Sequence, residues 1–404
     1  MSDVDHSAPL RGVRVVELSH MLMGPSCGWF LAQLGAEVIK VEPIGGDKTR
    51  RLTGMGAAFF PLFNRSKASI SIDIASDEGQ EILGRLLASA DVFVENFREG
   101  TLEGMGLLAG PMHERFPNLI IVGHKGFLTG PDEGKPAMDE VVQMGTGIAF
   151  MTGPSGRPLR IGVSANDIMG GLVGVIGVLG ALRERDRTGD GSIVRVGLFE
   201  NAMLLVAQHM VAHELTGKPS LPFPEREFSW PVYDVIEVAD GPIFVGVATD
   251  GQWRELCDEL ELPHLLADPR LQNNPDRIAA RDTFLDQIRA ALAPLTVDQA
   301  VKRLDEVGVM VTAIRRPEDV YQMPHALRPG GLSDSVDADG RPFRAPTLPL
   351  EIDGVIPIGD GAVPRLGADS ARLLTDLGYT PSTITDLTQR GIVALAAQGD
   401  PSHA

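Results

Sequence analysis

Residues 12–42 read GVRVVELSHMLMGPSCGWFLAQLGAEVIKVE, and this stretch decides the fold. It holds a β-rich run over 12–19, a helical segment over 25–34 and a second β-rich run over 36–42. Strand, helix, strand is the unit that builds parallel sheets covered on both faces. The pattern repeats downstream. SISIDI (69–74) predicts a strand, 78–89 a helix, and DVFVENF (91–97) and NLIIVGH (118–124) two further strands. The expected fold is α/β: a doubly wound, parallel-sheet, Rossmann-like large domain followed by a smaller α/β domain. Ligands of such sheets lie beyond the carboxyl ends of the strands. Those ends fall at 19–25, 42–50, 95–100 and 124–131, all polar or glycine-containing. No G-x-G-x-x-G follows the first strand, which argues against a nicotinamide-dependent dehydrogenase.

Past the first sheet, IVRVGLF (193–199) predicts a strand and 200–215 a helix. The Pro-rich segment KPSLPFPEREFSWP (218–231) reads as a linker. A hairpin turning at Asp240–Gly241 and helices over 251–260, 281–292 and 297–307 then suit a small domain. Residues 328–364 are rich in Pro and Gly and read as extended, and 370–397 as helical again. The expected domains are 1–217 (large), 218–231 (linker), 232–320 (small), and 321–404 (extended linker and helical return to the large domain).

The chain has 404 residues, enough for two cores, and its 43% hydrophobic content describes a packed globular protein. A net charge of −18 disfavours a nucleic-acid partner. It leaves room for an anionic small ligand in a local basic pocket. Two cysteines, Cys27 and Cys257, offer no disulfide framework and suit a reducing compartment. The start, MSDVDHSAPLRG, lacks the apolar core of a signal peptide. The most apolar run, 168–182, carries five glycines and is short for a membrane span. These readings together predict a cytoplasmic protein with no membrane partner. The nine histidines form no ligand-spaced cluster with acids or cysteines, so no metal is expected.

One carboxylate stands apart. In SANDIMGGLVGVIGVLGALRERDRTGDGS (164–192), Asp167 opens a long, almost wholly apolar helix. The first turn of a helix presents unpaired N–H groups and a positive dipole end, which orient a carboxylate and favour its charge. A carboxylate so held can attack an acyl group, or it can simply cap the helix. The glycines between 170 and 180 lack phosphate-loop spacing and predict close helix packing.

These segments, in order, make the chain resemble the class III CoA-transferases, the family of formyl-CoA and carnitinyl-CoA transferases and α-methylacyl-CoA racemase. The likeness runs from PLRGVRVVELSHMLMGPSCGWFLAQLGAEVIKVEP through ADVFVENFREGTLEGMGL, GFLTGP, NDIMGG, TGDGSIVRVGLFENA and LADPRLQNNPDRIAARD to PRLGADSARLLTDLGYT. The resemblance implies that Asp167 is the catalytic aspartate, which exchanges acyl groups through mixed-anhydride and aspartyl-CoA thioester intermediates. It implies that CoA, a substrate and no resident cofactor, lies across the early strand ends. The matching positions are His20, Met21, Ile72, Asn96 and Phe97, with Arg50 and Lys67 as phosphate partners by charge. It further implies an interlocked homodimer, and succinyl-CoA as a donor.

Several positions depart from the family's formyl-CoA type. Leu22 stands for a glutamine, Gly104 for an arginine and Ala137 for a lysine, and a glycine run near the small domain is missing. Met21, Leu22, Met23, Met138 and Met169 would form an apolar acyl surface, with Asp139 beside Met138 and with Arg226 reaching a second carboxylate of a dicarboxylic acid. The racemase branch needs a histidine where Met138 stands, and a thioether takes no proton at neutral pH. Racemisation, and acyl-CoA binding without catalysis, are the alternatives to CoA transfer.

Overall fold

In a computed structural model, residues 7–396 are described. The opening residues 1–6, part of the segment read as no signal peptide, and the end of the predicted helical return lie outside them. Two compact units emerge: the chain up to Pro224 together with the chain from Arg328 onward, and Glu225–Leu327. Their limits differ from the predicted 232–320 because the chain around 225–231 packs with the smaller unit through Arg226, Phe228 and Trp230.

The larger unit is built on a seven-stranded sheet. Its strands are β1 (Arg14–Leu18), β2 (Glu37–Glu42), β3 (Ala68–Ile72), β4 (Val92–Glu95), β5 (Ile120–Lys125) and β6 (Ile193–Gly197), with β12 (Val393–Ala394) at one edge. The order is β12-β3-β2-β1-β4-β5-β6, and every pair is parallel except β12 with β3. The strand order reverses between β1 and β4. That is where a doubly wound sheet opens a crevice for ligand.

The helices follow from local sequence. α1 (Met23–Gln33) is buried along its whole length. α2 (Asp77–Ala88) starts at Ser76, whose hydroxyl accepts from the Gly79 N–H, and buries Ile82, Leu83, Leu86 and Leu87. Asp77 and Glu78 in its first turn and Arg85 in its last suit the helix dipole. Two short helices, α3 (Asp139–Gly145) and α4 (Ile148–Thr152), precede α5 (Ala165–Thr188). α5 ends at Gly189 and α6 (Leu198–Thr216) at Gly217, both left-handed.

α5 is long and apolar enough to cross a membrane, yet it lies on α1, β5 and β6. Its glycines make that approach close. A Cβ on Gly171 would stand 2.1 Å from Ser26 Oγ, and one on Gly174 2.6 Å from His124 Nε2. The predicted packing role holds for Gly170, Gly171, Gly174 and Gly177, while Gly180 faces open space.

In the smaller unit, β7 (Val232–Val238), β8 (Gly241–Val247) and β9 (Met310–Ala313) form an antiparallel sheet. α7 (Asp250–Glu259), α8 (Arg281–Leu292) and α9 (Val297–Glu306) bury Trp253, Phe284 and Leu304 against it.

The return segment is extended over 328–364 as expected, and its helical stretch needs correction. Residues 328–364 contain the hairpin β10 (Leu332–Val336) and β11 (Pro342–Pro346), held by Arg65 through Ser333 Oγ, Ser335 Oγ and the Pro346 carbonyl. The stretch predicted as helix to 397 instead holds α10 (Ser370–Asp376) and α11 (Pro381–Gln389). It then turns at Gly391, φ +72°, into β12.

Candidate active site

Asp167 is the third residue of α5. The helix N-cap is Ser164, so the capping alternative for Asp167 does not hold. Among the described residues no side chain donates a hydrogen bond to its half-buried carboxylate. Burial pushes its pKa up to about 7, the Asp139 charge adds to the rise, and Arg160 opposes it.

Asp139 opens α3 and is buried. It accepts from Gln143 Nε2 at 2.6 Å, and Arg160 Nη2 lies 3.4 Å from the same oxygen. The backbone N–H groups of Asn166 and Asp167 also favour its charge. Burial outweighs them and leaves its pKa raised. The site is thus two carboxylates and one arginine at a helix start, with Asp167 the less supported carboxylate. Arg160 and Gln143 were not singled out in the sequence. Nothing local marks them, since only the tertiary fold brings them to α5.

The crevice lies at the other functional cluster. After β1, the His20 N–H donates to Asn96 Oδ1 at 3.0 Å, and Asn96 Nδ2 donates to the His20 carbonyl at 2.6 Å. The His20 and Phe97 rings stand 4.9 Å apart. Met21 is exposed and left-handed, with φ +62°. Four expected residues, from two strand ends, therefore come together at the switch point. α1, which follows the loop carrying His20 and Met21, also touches the start of α5: Ser26 Oγ donates to the Met23 carbonyl at 2.9 Å and lies 3.5 Å from the Asp167 carbonyl.

Other expected residues are placed differently. The Ile72 side chain is in the core and its strand is covered by β12, so it offers no side-chain surface to CoA. Leu22 is likewise core, buried at the α1 N-cap, and Met23 packs against Gly170. Lys67 is fully buried on Glu17, Asn64 and the Pro25 carbonyl, and is no phosphate partner. Arg50 is engaged within the protein, gripping both Glu42 oxygens at 2.7 Å and the Pro364 carbonyl. Met138 is 63% exposed at the N-cap of α3. Arg226 belongs to the smaller unit, stacked over Phe228 with Nη2 near the Tyr233 carbonyl. His124, at the end of β5, is buried against Gly174, and burial pushes its pKa down to about 4. An apolar cavity of about 350 Å³ flanks the start of α5, lined by Ile148, Met151, Ile161, Ala165, Val206 and Phe223 among others.

The fold is that of an α/β protein with a mostly parallel central sheet, and an aspartate stands at the start of its long α5 helix. Residues 10–370 match the sequence profile of CoA-transferase family III, and the chain belongs to that family. The chain is 32% identical to the succinyl-CoA–D-citramalate CoA-transferase of Chloroflexus aurantiacus, over 97% of this chain and all of that one. It is 30% identical to the succinyl-CoA:mesaconate CoA-transferase of Haloarcula hispanica, covering 93% and 98%. Among solved structures, a CAIB/BAIF family protein from Brucella suis superposes with a TM-score of 0.82 at 32% identity, covering 92% of this chain and 99% of that one. The protein is a class III CoA-transferase.

Proposed function

We propose that the enzyme moves CoA from an acyl-CoA thioester, with succinyl-CoA as donor, to a carboxylic acid through covalent intermediates on Asp167. The observation that carries this reading is the Asp167 carboxylate itself, unpaired by any described side-chain donor at the start of α5. Asp167 attacks the thioester carbonyl, the C–S bond breaks, and CoA leaves as thiolate from a mixed anhydride. The thiolate attacks the aspartyl carbonyl and expels the donor carboxylate, leaving an Asp167–CoA thioester. The acceptor carboxylate attacks that thioester and releases the thiolate again. The thiolate then takes the acceptor's acyl carbon and frees Asp167. Each step exchanges one acyl bond for another, so water must be kept out.

The His20–Asn96–Phe97 cluster, with Met21, forms the CoA rim in this reading. The apolar cavity beside α5 favours a carbon-rich acyl group, and the relatives' substrates point to a small dicarboxylic acid. Exposed Leu172, Ile176 and Leu179 along α5, and Leu204, Val211 and Leu215 along α6, support an interlocked homodimer, since one chain leaves this apolar surface open. Sedimentation as a folded monomer at submicromolar protein would refute that arrangement. Both cysteines are free and buried, which supports a cytoplasmic setting. Met138 in place of a base disfavours racemisation.

Intact-protein mass spectrometry with a panel of acyl-CoAs tests the chemistry. A CoA-sized adduct, or an Asp167 hydroxamate after hydroxylamine, absent in Asp167→Ala, is the expected result. No adduct with any donor, together with deuterium uptake at a substrate α-carbon, would overturn it.

A further inference from the structure

Three lysines share an arrangement that the reaction chemistry does not use. Each pairs with a glutamate on a central strand and donates to a backbone carbonyl at the crevice rim. Lys40 Nζ lies 3.2 Å from Glu17 Oε1 and 2.9 Å from the Ser19 carbonyl. Lys67 Nζ lies 2.6 Å from Glu17 Oε2 and 2.9 Å from the Pro25 carbonyl. Lys125 Nζ lies 2.7 Å from Glu95 Oε1 and 2.9 Å from the Phe97 carbonyl.

The side chains of Lys40, Lys67 and Glu17 are wholly inaccessible to solvent. Ser19 leads into the loop that carries His20 and Met21, Pro25 lies in the first turn of α1 just after it, and Phe97 faces His20. Glu95 Oε2 also accepts the Phe97 N–H at 2.8 Å, so Phe97 is held through both its peptide groups. Lys40 reaches further: its ammonium lies 3.2 Å from Asp47 Oδ2, and Asp47 caps the turn after β2 by accepting from the Thr49 N–H. Two charge clusters therefore hold these strand ends: Lys40, Glu17, Lys67 and Asp47 at β1 and β2, and Lys125 with Glu95 at β4.

Stability is a poor reason to keep such a cluster. Burying an ion pair costs about as much as the pair returns, and apolar replacements of similar volume are often neutral or stabilising. What apolar residues cannot do is fix a backbone carbonyl in direction. The left-handed Met21 makes that fixing worthwhile, because a non-glycine residue in that region needs surroundings that hold it there.

We propose that Lys40, Lys67 and Lys125 are positioning residues that brace the crevice rim, through the Ser19, Pro25 and Phe97 carbonyls, in the shape that binds CoA thioesters. The inference rests on the reading of the His20–Phe97 crevice as the CoA rim. Burial pushes Lys67 down to about 8 against the pull of Glu17, with Lys40 adding to the fall. Lys40 faces two carboxylates, Glu17 and Asp47, and with Glu42 they outweigh its burial and hold its pKa above the ordinary value.

The test uses the full-length enzyme carrying Lys67→Met or Lys125→Met, and the charge-matched pairs Glu17→Gln/Lys67→Met and Glu95→Gln/Lys125→Met. The readouts are kcat, KM for succinyl-CoA, calorimetric Kd for free CoA, and the unfolding midpoint. Bracing predicts that KM and Kd rise about tenfold while kcat changes less than about threefold. It also predicts that the charge-matched pairs recover the unfolding midpoint without recovering KM. Lys125→Arg, which keeps both donors' reach and charge, should restore part of the affinity. Recovery of KM together with stability, or a loss confined to kcat, would overturn the proposal. The Lys125 variants lie nearer solvent and keep the test available if the Lys67 variants do not fold. Phe97→Ala and His20→Ala serve as controls. If they leave Kd for CoA unchanged, the rim reading fails and the bracing falls with it. If they weaken CoA while every lysine variant binds normally, only the bracing is refuted.

Discussion

Replacing Asp167 with asparagine should abolish CoA transfer and make the protein more stable at pH 8. The unsupported carboxylate is the reason. Its pKa in the fold is about 7, against an ordinary 3.8, because burial and Asp139 both resist its charge. At about 1.4 kcal/mol per pH unit, that gap corresponds to roughly 4 kcal/mol, and partial solvent contact reduces it to about 2–4 kcal/mol. The sign follows from proton counting. Below pH 4 the group is protonated in both folded and unfolded chains, and it contributes no difference. Between about 4 and 7 the unfolded chain loses the proton that the folded chain keeps, so wild-type stability falls with rising pH. Above 7 both forms are ionised and the full penalty stands. Asparagine never ionises, so its advantage should grow across that window and level off above it. Denaturant unfolding of both proteins at pH 5, 6, 7 and 8 measures this. A gap independent of pH, or a less stable asparagine variant at pH 8, would refute the reasoning.

The same carboxylate sets the pH dependence of activity: kcat/KM should rise as pH passes through about 7, where Asp167 becomes a nucleophile, and a flat profile from pH 6 to 8 would contradict this. Asp139→Asn removes the neighbouring charge, so the rise should move to lower pH, measured on the same profile. Gly171→Ala places a methyl 2.1 Å from Ser26 Oγ and 2.9 Å from the Cys27 backbone, and should cost about 1–3 kcal/mol in unfolding and lower kcat by shifting α5. Phe97→Ala should weaken CoA binding in calorimetry by about tenfold and also lower the unfolding midpoint, because its ring stands against His20 and packs partly on the core.

The first six strands were legible because short runs rich in Val and Ile, bounded by turn residues, leave little choice of element. The close packing of the α5 glycines was legible too, since no phosphate loop has their spacing. The edges were not. β12 has two residues, and nothing in its own sequence separates it from the helical pattern before it; Gly391 is the break. β10 and β11 hide among prolines and glycines. Charged residues misled in a more useful way. Lys67 and Arg50 read as phosphate partners by their charge, yet they sit on Glu17 and Glu42. Glu17 within VVEL and Lys40 within VIKV were the available signal: a charge inside a buried parallel strand needs a buried partner. The neighbours of Asp167 carried no such mark, as Asp139 and Arg160 meet it only when α3 and the 153–164 segment fold against α5.

The way β3 is finished has a consequence for synthesis. Its outer side is closed by chain made last: the Ser69 N–H donates to Asp369, the Ser71 N–H to Ser370 Oγ, and Ile72 pairs with Val393. Until that chain leaves the ribosome, the sheet begun by the first seventy residues has a bare edge of unpaired peptide groups. Such an edge is a template for pairing with another chain. A nascent copy must therefore wait through the whole smaller unit before its first sheet is sealed, and chains cut short before residue 393 should be the ones that aggregate.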